Sequence, residues 1–308
     1  MKKKFVLIGI ISMICLLVII GLMASSKYET MKNPHNAFRK DLNKQEESTD
    51  NSNKEVASQK NIINILLLGV DSTEKREAEN MGYRSDALML VSMNLDTKKV
   101  KLISVPRDSY TEIPGKKDKD KINHAMAFGG GPKKKGNQYA MEAVETLLDI
   151  NINYYLTMDL DAIQDMVDVI GGVTIDVEKD MYIGENLIIK KGIQKLSGKD
   201  ALIYLSNRNA PTGDFARIDQ QQKFMIALLK EIKNTARFSD IIPLYLSFQN
   251  RVFTNLNMDQ MGSVILFLKD LDPINHIETF TLKGENMIID GIYYLKVDRN
   301  YIDEILKE

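Results

Sequence analysis

Between Ile62 and Val70 the sequence is apolar at every position except Asn64 and Gly69, and isoleucine and leucine dominate the run. A strand with one wet face alternates between apolar and polar residues, so an almost continuous run belongs to a strand covered on both faces. It ends at Gly69-Val70-Asp71, where the chain must turn. Ala87 to Asn94 and Val100 to Val105 read as two further strands, and the polar turn Leu95 to Lys99 between them predicts a hairpin. Helical spacing follows: Tyr139 to Leu148 puts Ala140, Val144, Leu147 and Leu148 on one face, and Asp161 to Ile170 is stopped by Gly171 and Gly172 before a strand at Val173 to Val177. Ser197 is placed to cap a helix through Ala201 to Leu205, and Ile218 to Asn234 and Met258 to Leu268 are further helices. Strands alternating with helices, plus a hairpin, predict an α/β domain built on a mixed β-sheet sandwiched by helices.

The N-terminus sets where such a domain would work. After Lys2, Lys3 and Lys4, no charge occurs from Phe5 to Ala24. At ~1.5 Å per residue these roughly twenty residues cross a hydrocarbon core of ~30 Å. The run is longer than the apolar core of a cleavable signal, which favours an uncleaved anchor. The basic cluster before it leaves residues 1–4 in the cytoplasm and everything after it outside, as a single-pass type II protein. Cys15, the only cysteine, lies inside this run, so the exported part has no thiol for a disulfide, a nucleophile or a zinc-thiolate site. Residues 25–60 are rich in Lys, Asn, Glu, Asp, Ser and Gln and read as a flexible tether, while 61–308 has the length and apolar content of one large domain. With 41 basic and 42 acidic residues the net charge is −1, and no basic stripe, zinc-finger or helix-turn-helix pattern points to nucleic acid.

Three arginine-bearing segments carry the chemistry: Arg84-Ser85-Asp86, Ser104-Val105-Pro106-Arg107-Asp108, and Arg208 followed by Gly213-Asp214-Phe215-Ala216-Arg217. Guanidiniums interleaved with carboxylates suit a diphosphate and its divalent cation, although each segment alone is what an ordinary surface ion pair looks like. His35 and His276 offer no partner for a Ser-His-Asp arrangement, and His124 reads as a residue that bonds its own turn.

Taken in order, Asn64 to Asp71, Arg84-Ser-Asp86, Ser104 to Asp108, Lys121-Ile-Asn-His-Ala125, Ile170-Gly-Gly-Val173, Leu196-Ser-Gly198 with Ala201, Leu202 and Tyr204, and Gly213-Asp214 with Arg217 and Gln221-Gln222 resemble the LytR-CpsA-Psr family over about residues 61–234. The resemblance implies an extracytoplasmic enzyme of Gram-positive envelopes. Such enzymes move a glycopolymer, of teichoic acid or capsule type, from an undecaprenyl diphosphate carrier to a peptidoglycan hydroxyl. It implies that Asp71 and Asp86 hold Mg²⁺, that Arg84, Arg107, Arg208 and Arg217 grip the diphosphate, and that Gln221 lies near the phosphates. Asp86 or Asp214 is then the acceptor of the hydroxyl proton. Catalysis would be largely positioning and charge stabilisation, with Arg107 as a principal group.

The chain also departs from the family pattern. A cation expected two residues before Arg208 is Ser206, the arginine of the usual Arg-Gln-Gln is Gln220, and a glycine is Ala216. Loss of two charges from an anion site keeps open a non-catalytic polyprenyl-phosphate-binding or regulatory protein, and a lipid diphosphatase is a third reading. The carrier's lipid needs an apolar pocket, for which Leu88 to Val91, Val144 and Leu148, Ile163 to Ile170, and Phe224 to Leu229 are candidate walls. The segment beyond Asn234 carries no recognisable motif. A helix from Met258 and a final strand near Met287 to Ile289 are expected to complete the core.

Overall fold

The computed structural model describes residues 28–43, 61–71, 83–207, 214–235 and 251–307. In chain order these form α1 (Pro34–Ala37), β1 (Ile62–Asp71), β2 (Arg84–Asn94), β3 (Val100–Ser104), β4 (Tyr110–Thr111), β5 (Asp120–Lys121), α2 (His124–Phe128), α3 (Gly136–Leu148), β6 (Tyr154–Asp159) and α4 (Leu160–Val169). Then come β7 (Val173–Val177), β8 (Met181–Ile183), β9 (Asn186–Ile189), β10 (Gly192–Leu196), α5 (Gly198–Ser206), α6 (Asp214–Thr235), β11 (Val252–Thr254), α7 (Met258–Asp270), β12 (Ile277–Thr281), β13 (Gly284–Ile289), β14 (Ile292–Val297) and α8 (Arg299–Leu306).

The main sheet has the order β11-β6-β1-β2-β3-β12. It is mixed: β1 runs parallel to β6 and antiparallel to β2, β2 is antiparallel to β3, and β12 is parallel to β3. The uninterrupted apolar run explains itself once the two faces are separated. Leu66, Leu68 and Val70 of β1 join Leu88, Leu90, Ile103 and α3 in one cluster, while Ile63 and Ile65 join Met89, Val91, Met93 and Leu102 in another on the opposite face. Both faces are dry, so neither side of the strand has room for a polar repeat.

A third cluster lies beyond the sheet, where Val167, Val173, Ile175, Ala201, Tyr204, Phe224 and Leu228 bring α4, α5 and α6 onto the β7–β10 ribbon. The turn into β7 depends on Gly171 and Gly172, at φ 85° and 96°. A Cβ on Gly172 would stand 2.8 Å from the Leu196 carbonyl, so the left-handed turn and the close strand approach both need glycine. Ser197 caps α5 by accepting from the Asp200 N–H, as its type and position predict.

One expectation is corrected. Residues 28–43 fall inside the stretch whose composition predicts a flexible tether, yet they are helical and pack on the domain. Phe38 is wholly buried against Tyr154, with ring centroids 5.5 Å apart, and Leu42 enters the same core cluster. Asp41 accepts a hydrogen bond from the Tyr154 hydroxyl. Burial and the Asp41 carboxylate together push the Tyr154 phenol well above its ordinary pKa. The physical reason is local: Met31, Phe38 and Leu42 recur at helical spacing inside a polar composition, and three buried anchors are enough to hold a short segment.

The apolar run at 5–24 lies outside the described residues, and among those described no helix is long and apolar enough to cross a membrane. The candidate lipid walls are distributed over three core clusters. Leu88, Leu90, Val144 and Leu148 belong to the first core cluster, Met89 and Val91 to the second, and Phe224 and Leu228 to the third.

Candidate active site

The site begins with a defect in a strand pair. Gly69 of β1 faces Ala87 of β2, but Val70 faces Ser85, so Asp86 has no partner in that ladder. A bulge leaves the extra residue's backbone out of the sheet and re-aims its side chain. Both ends of Asp86 are then taken by arginines. Arg107 donates from Nη1 to Asp86 Oδ1 at 3.0 Å, and Arg217 donates from Nη2 to the Asp86 backbone carbonyl at 3.3 Å. Two cations more than 100 residues apart in sequence thus converge on one bulged aspartate.

Each arginine is held from behind. Pro106 follows the end of β3 and cannot extend its ladder. Ser109 folds back onto the Pro106 carbonyl from both its N–H and its hydroxyl, and the Arg107 carbonyl accepts from the Asn123 N–H. The Arg107 Nε stands 3.7 Å from Asp108 Oδ2, and Lys121 Nζ lies 2.7 Å from Asp108 Oδ1. Arg217 is positioned by the next turn of α6. There the buried Gln222 donates from Nε2 toward Ser104 Oγ, the Phe280 carbonyl and Thr281 Oγ1, at 2.9, 2.7 and 3.1 Å. That amide pins α6 across β3 and β12 and buries Arg217 to 3% exposure beside Asp86. Gln221, the glutamine expected near phosphate, is half-buried on the neighbouring side of the helix.

The other expected residues sort as follows. Arg84 is exposed at the start of β2, and its Cα faces that of Asp71 across the β1–β2 ladder, so the two lie at the same sheet end as Asp86. The side chains of Asp71 and Asp214, and the whole of Arg208, lie outside the described residues. The backbone makes Asp214 the first residue of α6, one turn before Arg217. Ser206 turns its hydroxyl back onto the Leu202 carbonyl of its own helix, so it does not replace the missing cation. Ala216 and Gln220 are half-buried on α6.

A second charged network adjoins this one and is closed. Asp120 Oδ2 receives Lys116 Nζ and stands 2.9 Å from His124 Nδ1, while Oδ1 accepts from the Lys121 N–H at 2.8 Å. Burial raises the Asp120 carboxyl, but these hydrogen bonds outweigh it and hold the pKa at about 2. His124 therefore fastens the loop behind Arg107, in keeping with its reading from the motif.

The residues that sequence reasoning missed lie near the C-terminus. The Leu295 N–H donates to the Asp108 carbonyl at 2.9 Å, and Ser109 forms a parallel bridge with Leu295. Tyr294 packs edge-on against Tyr110 with centroids 5.1 Å apart. β14 thus braces the Arg107 loop, and the only signal for it was the apolar run Ile292 to Leu295, which also reads as plain core.

The arrangement brings two guanidiniums, that of Arg107 part-exposed and that of Arg217 buried, onto one bulged aspartate, with the backbone of Asp71 at the same sheet end. A family model described as the LytR_cpsA_psr family matches residues 24–308. The chain belongs to the LytR-CpsA-Psr family. Among its relatives is the polyisoprenyl-teichoic acid–peptidoglycan teichoic acid transferase TagU of Bacillus subtilis (strain 168), 31% identical over 314 residues, covering 100% of this chain and 95% of the relative. The crystal structure of B. subtilis TagU has 30% identity and a TM-score of 0.60, over 80% of this chain and 94% of that one. A structure described as TagT bound to LIIa-WTA has 29% identity and a TM-score of 0.66, over 82% of this chain and 91% of that one. The match extends through residue 308, so the segment beyond Asn234 falls within the LytR-CpsA-Psr unit.

Proposed function

We propose that this protein is a membrane-anchored transferase that moves a glycopolymer from a polyprenyl diphosphate carrier to peptidoglycan, with its catalytic domain outside the cell. The observation that carries this reading is the convergence of Arg107 and Arg217 on Asp86 at one sheet end, in a chain whose relatives are named as teichoic acid transferases. The acceptor hydroxyl would attack the phosphorus bearing the glycan. The bond from that phosphorus to the bridging oxygen then breaks, and the carrier leaves as polyprenyl phosphate. The hydroxyl proton passes to a carboxylate, Asp86 or Asp214. Negative charge grows on the departing phosphate, where Arg107 and Arg217 neutralise it in place with little reorganisation.

Asp71 and Asp86 suit Mg²⁺, which takes one or two carboxylates and draws the rest of its shell from water and phosphate. Among the described residues no group of three or more His, Cys, Asp or Glu side chains is set to hold a metal alone. Bound together with the diphosphate, the ion would neutralise charge on the phosphate oxygens. Arg84, Arg208 and Gln221 would complete the diphosphate grip.

A second reading, carrier binding without transfer, is favoured by Ser206, whose hydroxyl is spent on Leu202, and by Gln220 in the place of an arginine. The full chain in lipid nanodiscs, given a polyprenyl-diphosphate saccharide and Mg²⁺ with and without peptidoglycan oligomers, separates the readings. Saccharide on the oligomers is the expected result. Carrier cleavage without attachment identifies a diphosphatase, and binding without turnover the non-catalytic reading.

A further inference from the structure

The β8–β9 ribbon is apolar where it should be wet. Met181 and Ile189 root it in the third core cluster, but Tyr182, Ile183, Leu187 and Ile188 beyond them are 44, 56, 40 and 40% exposed. Solvent-facing strands of a soluble domain place polar residues at such positions, and a concentrated apolar surface marks something that covers it. The register pairs Tyr182 with Leu187, and the shift between Met181 and Tyr182 leaves Ile188 as the extra residue, so apolar groups stand side by side along the ribbon.

We propose that this ribbon rests on the outer surface of the lipid bilayer and sets the domain against it. The inference rests on the membrane-anchored reading above. Two observations select a bilayer over a protein partner. First, the uncharged apolar run ends at Ala24 and the described fold begins at residue 28, so a membrane lies within reach of a few residues of chain. Second, Lys179, Lys190 and Lys191 are exposed at the base of the ribbon, at the level where lysines meet anionic headgroups. The nearby acids are partly engaged: Glu178 pairs with Lys223, and Asp180 accepts from the Lys191 N–H. Glu185 is exposed in the turn, so the ribbon lies along the interface and does not enter tip first. Met181 and Ile189 share their cluster with Phe224 and Leu228 of α6, the helix that carries Arg217, so the surface-bound ribbon and the site belong to one packed block.

The test uses the full chain in vesicles of phosphatidylethanolamine and phosphatidylglycerol. In a Cys15→Ser background, an environment-sensitive fluorophore is attached at Leu187→Cys or, as the solvent control, at Glu304→Cys, an exposed polar position on α8. Lipids carrying a shallow spin-label quencher should dim the first and leave the second unchanged. An unquenched Leu187→Cys label overturns the proposal, and so does a blue shift without lipid quenching, which marks a protein contact. The Tyr182→Ser/Leu187→Ser variant should raise KM for a long-chain carrier substrate ~10-fold and leave KM for a short-chain soluble analogue unchanged; equal effects on both also overturn it. If the wild type transfers nothing while the label is still quenched, the catalytic reading fails and the docking surface stands.

Discussion

The two ends of the central sheet are built on opposite principles. At one end, where Ile63, Met93 and Val100 lie, the chain closes the sheet with its own N-terminal segment, and Phe38 reaches zero exposure there. At the other end, the β1–β2 ladder breaks at Asp86, Pro106 follows the end of β3, and charged groups occupy the opening. Asp86 and Arg107 keep 27 and 23% of their side-chain surface there. A sheet end sealed by apolar anchors stores stability; one where opposed charges stay about one-quarter exposed gives up burial for a surface that can meet an anion. Charge alone does not mark the site, because the Asp120 network at the same end is closed.

The sharpest way to break this contrast is Arg107→Ala. It should lower transfer to peptidoglycan oligomers by about 100- to 1,000-fold, the scale seen when one charge-stabilising donor is removed, and should move the unfolding midpoint little. A variant with a lowered unfolding midpoint but unchanged specific activity would reassign Arg107 to structure. At the opposite end, Phe38→Ala should cost about 3 kcal/mol by urea denaturation and leave kcat within about twofold, because no contact of Phe38 reaches Asp86. An unchanged midpoint would mean that the N-terminal segment is not part of the folded unit.

This contrast was only half legible in the sequence. The apolar run at Ile62 to Val70, the β2–β3 hairpin, the glycine stop at 171–172 and the Ser197 cap are local signals, and each predicts its element within a few residues. β6, which lies beside β1 at the centre of the sheet, was missed because Tyr154 to Asp159 is short and mixed in polarity. The Asp86 bulge was not readable either, since a register slip depends on which residue of a partner strand is opposite. The same holds for Gln222: one amide among three consecutive glutamines becomes the pin only because helix phase aims it at Ser104. The docking of residues 28–43 was hidden by average composition, which dilutes three well-spaced anchors.

The Asp120 network tests whether position or exposure defines the site. Asp120→Ala should cost on the order of 2 kcal/mol at neutral pH and, by loosening the loop behind Arg107, lower kcat by less than Arg107→Ala does. The sign is fixed by the depressed carboxyl. Its folded pKa of about 2 lies below the ordinary 3.8, so its contribution is complete above roughly pH 4 to 5 and drains away as pH falls toward 2. Denaturation series of wild type and variant should therefore converge in acid, with Lys116, His124 and the Lys121 backbone as the donors released. A constant gap down to pH 2 would mean that the carboxylate does not carry the effect.

The smallest effects come from two adjacent residues of α6 that sequence alone ranks the wrong way round. Gln222→Leu should cost about 1 to 2 kcal/mol, because Ser104 Oγ and the Phe280 carbonyl lose a buried donor. It should also lower transfer, since α6 then loses the bond that sets Arg217 beside Asp86. Gln221→Leu removes no bond of this kind and should leave stability within about 0.5 kcal/mol; if Gln221 touches phosphate, the change should appear as a higher KM for the carrier. The pair thus separates a residue that places the helix from one that faces the ligand. If both variants lose stability equally, α6 is held by its apolar stripe alone and the Gln222 contacts do not set the position of Arg217.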